Sequence, residues 1–126
     1  MHDASANMIT GVRVVRYARD GGYAAVEWMR AFEGVEIPHS LGDGDTLRIG
    51  VQITRKRAID VILRVERLNG LGDRIKARFG RTRSDVLFRR PGALRATVPQ
   101  AKRPLAVLAA VHMGEPVRVL VCEPAL

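Results

Sequence analysis

One cysteine in 126 residues rules out an internal disulfide, so Cys122 gives no signal of an oxidising compartment. Its neighbours Val119, Leu120 and Val121 mark it as a small buried apolar residue. Aromatics are scarce at 5%. Histidine is confined to His2, His39 and His112, none at metal-ligand spacing from cysteine, aspartate or glutamate, so a metal centre is not expected. Long hydrophobic runs are missing too. The longest, Leu105 to Val111, falls far short of the roughly 20 residues that cross a bilayer. The opening "MHDASANMIT" lacks the positive start and apolar stretch of a secretory signal, and residues 1–19 only faintly resemble an organellar transit peptide.

What is present is arginine. The chain carries 21 Lys and Arg against 13 Asp and Glu, a net charge of +8, and only Lys56, Lys76 and Lys102 are lysine. Such a balance points to a polyanionic partner, nucleic acid or an anionic membrane, and the planar guanidinium fork matches phosphate oxygens in pairs. The charge is uneven: residues 54–103 hold fifteen cations and four acids, net +11, and the remainder six cations and nine acids, net −3. The length suits a single domain, 1–126, with one basic face.

Periodicity sketches the elements. Residues 1–19 read as an extension ending in a strand over 11–18. A helix is expected over 20–34, with Asp20 as N-cap, Tyr23, Val26, Met29 and Phe32 as its repeating apolar positions and Gly34 as its stop, although "RDGG" also suits a hairpin. From Pro38 the period becomes 2, with Leu47, Ile49, Val51 and Ile53 on one face, then Ile59, Val61, Leu63 and Val65 on the next strand. "NGLGD" reads as a loop, "RIKARF", "VLF" and "LRATV" as short strands, and the last two runs as a hairpin turning at Gly114 to Pro116. Seven or so short strands predict a mainly β, nearly closed barrel over 37–126 with one N-terminal helix.

Catalytic constellations do not emerge. Cys122 and His112 could face each other across the last hairpin, an arrangement that is usually packing. "GDGD" lacks the later ligands of an EF-hand, with Leu47 and Thr54 where they should stand, and its aspartates read as turn residues. "NGLGD" lacks the lysine of a phosphate loop. No catalytic, metal or cofactor-binding residue and no small-molecule substrate is therefore expected. With only Phe79 and Phe88 in the basic region, backbone and shape recognition of folded RNA is expected over base stacking.

The run Ile37-Pro38, then Gly44-Asp45-Thr46-Leu47-Arg48-Ile49, then Arg-rich strands including "DVLFRRPG" from Asp85, resembles the nineteenth protein of the bacterial-type large ribosomal subunit. The resemblance spans about residues 23–98 and is most specific at 37–53. It implies an SH3-like barrel that binds large-subunit rRNA, neighbouring ribosomal proteins and, at the subunit interface, small-subunit rRNA. It also implies a non-catalytic role on the ribosome, with no membrane. Departures from the pattern favour the mitochondrial matrix over the bacterial cytoplasm. On this reading the phosphate contacts are Arg55, Lys56 and Arg57, then Arg74, Lys76, Arg78, Arg81 and Arg83, then Arg89 and Arg90. "IPHSLGDGDTLRIGV" is also similar to swapped-hairpin DNA-binding regulators, and composition equally suits a basic assembly protein of a phage particle.

Overall fold

Two opposed apolar faces on one sheet organise the chain in the computed structural model, which describes residues 7–125. Five strands carry it: β1 (Ile9–Tyr17), β2 (Thr46–Thr54), β3 (Arg57–Arg67), β4 (Ala101–His112) and β5 (Glu115–Pro124). Their order is β1-β4-β5-β3-β2, antiparallel throughout. The fold is mainly β, 45% strand against 29% helix. The sheet is open: β1 and β2 are its two edges and do not pair, so the barrel expected from the sequence is not formed. His2 and the first six residues of the expected extension lie outside the described residues, as does Leu126.

Alternation on β3 explains the layering. Val61, Leu63 and Val65 turn to one face, where Trp28 and Phe32 of α1 (Ala25–Phe32) pack with Val51, Ile53, Leu108 and Val119. Ile62 turns to the other, joining Leu120, Cys122 and Val107 beneath Leu87, Leu94 and Val98. Those last three belong to the helical layer made by α2 (Gly70–Arg78), α3 (Arg83–Arg89) and α4 (Pro91–Thr97). A strand buried on both faces loses its polar alternation, as the run from Val61 to Leu63 does.

The helical layer is the largest departure from expectation. "RIKARF", "VLF" and "LRATV" are helical, and "NGLGD" is the entry to α2, closed by the Asn69 amide donating to the Asp73 carboxylate at 3.0 Å. The local signals favour this outcome. Thr82 and Asp85 form a reciprocal capping box that starts α3, and Pro91 stands in the first turn of α4, where its missing N–H costs nothing.

Within 20–34 the helical part is Ala25–Phe32, after a 3-10 turn over Arg19–Gly21. Its N-cap is Ala24, whose amide donates to Glu27, whereas Asp20 pairs with Arg103 at 3.3 Å. A period of three drifts by about 60° per step around a helix, so Val26 and Met29 are exposed and the buried pair is Trp28 and Phe32, four apart. The β4–β5 turn is tighter than expected, two residues with positive φ at both Met113 (54°) and Gly114 (78°), the geometry that suits the twist of a hairpin.

Candidate polyanion-binding surface

The aspartates of "GDGD" are engaged in making the corner before β2. Asp45 accepts the Gly42 amide at 2.8 Å, Asp43 accepts the Arg67 amide at 2.8 Å, and Gly44, at φ 83°, donates to the Val65 carbonyl. His112 and Cys122 do not face each other. The register sets His112 opposite Glu115, seven residues before Cys122 and therefore about 23 Å along the strand. His112 is buried, with Nε2 at 3.0 Å from the Ile37 carbonyl and Nδ1 at 3.1 Å from Arg67 Nη2. A carbonyl only accepts and a guanidinium only donates, so the hydrogen sits on Nε2 and the ring ties β4 to β3 and to the segment before β2.

Burial pushes the Cys122 thiol up to about 12, against a weaker pull from the Arg64 charge. That leaves a buried thiol with negligible thiolate near neutral pH. Native protein should therefore resist a thiol-reactive disulfide reagent at pH 8 for as long as it stays folded, and react stoichiometrically in denaturant. Rapid native labelling would show that the strand β5 end opens readily.

The ten cations expected to contact phosphate fall into two groups. Arg55, Lys56 and Arg57 are exposed at the β2–β3 turn, where the Arg57 guanidinium lies 5.7 Å from the Tyr23 ring centre. Arg74, Lys76 and Arg78 are exposed on α2 and Arg81 on the link to α3, with Arg83 opening α3, Arg89 ending it and Arg90 joining it to α4. β3 runs eleven residues between the turn and the end from which α2 departs, so about 33 Å of strand separates the first group from the start of the second. Arg95 on α4 is also exposed and joins the second group, a residue the sequence reading missed for want of a helix there.

The carboxylates of the helical layer behave oppositely. Glu66 on β3 accepts the amides of Arg83 and Ser84 and the Ser84 hydroxyl at 2.7–3.1 Å, capping α3 from the sheet. Asp85, fully buried, accepts from Arg16 of β1 at 2.8 Å and from Thr82 through both amide and hydroxyl. Burial alone would raise its carboxyl. The hydrogen bonds from Arg16 and Thr82 and the Arg16 charge outweigh that and hold it below 3.8. Asp73 is tied to Asn69. In the same region Asp60 pairs with Arg48 at 2.8 Å.

None of the ten candidate cations forms an ion pair among the described residues, although Arg83 also donates to the Thr97 hydroxyl. The outer surface of the helical layer therefore carries a large excess of positive charge over the partly exposed carboxylates of Asp73 and Glu66. Beneath it the half-buried Arg118, opposite Glu66 in the register, has its guanidinium lowered, first by burial, with the charges of Asp85 and Glu66 opposing and that of Arg13 assisting. Chemically, this arrangement offers multidentate ion pairing to an anionic partner. No protein-family model, curated protein or solved structure matches the chain.

Proposed function

We propose that this chain is a non-catalytic binding domain that docks on a polyanionic partner through the outer face of its helical layer. One observation carries the reading: Glu66, Asp73 and Asp85 are all tied to backbone or buried partners, while Arg74, Lys76, Arg78, Arg81, Arg89, Arg90 and Arg95 stand exposed. Neighbouring charges of opposite sign largely cancel, whereas an excess of one sign adds up into a steering field that salt screens beyond about 10 Å.

The open sheet withdraws the barrel on which the ribosomal resemblance rests, so rRNA enters as one member of this class of partner, supported by charge. Binding of heparin, an RNA hairpin or anionic vesicles, read at 50 and 200 mM salt, tests the class. Engagement of six or more of these cations by a nucleic acid predicts a loss of about a thousandfold over that interval. The triple variant Arg89→Glu, Arg90→Glu, Arg95→Glu should weaken binding at least tenfold with an unchanged far-UV spectrum. No binding to any polyanion at 50 mM salt would overturn the reading. Co-sedimentation with large subunits would specify it as ribosomal.

A further inference from the structure

α2 is built inside out. None of its residues is buried, and its three large apolar side chains are among the most exposed in the protein: Leu71 at 74%, Ile75 at 48% and, at its C-terminal cap, Phe79 at 68%. At about 100° per residue these positions, four apart, fall within about 80° of one another and form one ridge. Arg74 and Arg78 lie along one flank of that ridge and Lys76 beyond the other, all exposed. The less exposed positions, Asp73 and Ala77, fall on the opposite side of the wheel, so the apolar stripe is the side of the helix turned to solvent.

We infer that α2 docks on an anionic lipid surface, with Leu71, Ile75 and Phe79 entering the headgroup boundary and the flanking cations meeting lipid phosphates. This rests on the polyanion reading and names its partner. A nucleic-acid backbone would satisfy the cations but leave two aliphatic side chains in water, whereas a bilayer surface takes an apolar ridge and a cationic rim together. A second copy of the chain fits poorly, because two-fold pairing of the ridges would bring Arg74 and Arg78 against their own counterparts. The only carboxylate on the helix, Asp73, lies on the side away from the ridge, so the flanks of the ridge carry only cations. Among the described residues no helix is long and apolar enough to cross a bilayer, which has no bearing on lying at its surface.

Vesicle co-flotation of the full chain tests this, with phosphatidylcholine alone and with 30% phosphatidylglycerol added. We expect binding only to the anionic vesicles. The double variant Leu71→Ser, Phe79→Ser should reduce it at least tenfold, from the transfer cost of two large apolar side chains, and leave heparin binding within about twofold. Arg74→Glu with Arg78→Glu should weaken both, roughly fivefold per charge on the vesicles. Because all four positions are exposed, the fold is not at stake, and Phe79→Trp adds a direct signal, a blue shift of emission on anionic vesicles. Heparin or RNA binding without vesicle binding, or vesicle binding indifferent to Leu71 and Phe79, would overturn the lipid assignment while leaving the polyanion reading intact. No binding to any polyanion would overturn both.

Discussion

Asp85→Ala will cost about 2–4 kcal/mol of folding stability, a little under the roughly 3–5 kcal/mol for removing one partner of a fully buried charge pair. The carboxylate is fully buried and joins parts of the chain that are far apart in sequence: Oδ1 receives Arg16 from the edge strand β1, and Oδ2 closes the cap of α3 on Thr82. Without it the Thr82 amide and hydroxyl lose their acceptor in a dry site. The Arg16 side chain keeps 32% exposure and can turn to water, which holds the cost below that of a fully sequestered pair.

Thr82→Ala alone should cost only about 0.5–2 kcal/mol, the usual value of a cap, and the double variant less than the sum, because both act in one network. The pH dependence follows in sign. A carboxyl held below its ordinary value contributes stability above that value and loses it as pH falls through the folded pKa, so the wild type should lose stability on acidification below about pH 4 more steeply than Asp85→Ala. Urea titrations at pH 3 and pH 7 decide it: the substitution should cost less at pH 3, and an equal cost at both would mean that folding leaves the carboxyl's pKa unchanged.

Sequence periodicity was a sound guide where one face of an element is wet. β2, with Arg48 and Gln52 alternating against Val51 and Ile53, reads directly from its residues, as does the hairpin whose arms are β4 and β5. It misled where elements are short. In "RIKARF" a period of two and a period of four coincide, since Ile75 and Phe79 are both alternate residues and successive turns of a helix. What separates the readings is local chemistry at the ends, the Thr82 and Asp85 box and Pro91, which is visible in the sequence but carries meaning only once a helix is entertained.

The candidate surface divides in the same way. Its cations are legible from composition, because charge needs no fold to be counted. Two features depend on tertiary placement and could not be read: that Glu66, 17 and 18 residues from its partners Arg83 and Ser84, would cap α3, and that the apolar stripe of α2 would face away from the core. A strong apolar period normally marks the buried side of an element. Here it marks the outer one, in a stretch whose alternation reads as a short strand.

Trp28→Ala should cost about 3–5 kcal/mol, at least a fifth of the 5–15 kcal/mol that a domain of this kind holds. Trp28 is 1% exposed and is the only tryptophan, set edge-on to Tyr23 at 5.5 Å and tilted against Phe32 at 6.2 Å. Truncation removes the main side chain joining α1 to β1 and β2, and the rigid sheet beneath cannot follow it inward. Trp28→Phe should behave quite differently. The indole Nε1 is buried without a hydrogen-bond partner among the described residues, and an unmet donor of that kind costs about 1–3 kcal/mol. Phenylalanine forfeits part of the packing but also removes that penalty, so the two changes should nearly cancel, within about 1 kcal/mol. Far-UV circular dichroism in urea is the measurement, since both variants lose the intrinsic fluorophore. If Trp28→Phe proves as costly as Trp28→Ala, the indole N–H has a partner, such as an internal water, and α1 is held to the sheet by a polar bond as well as by packing.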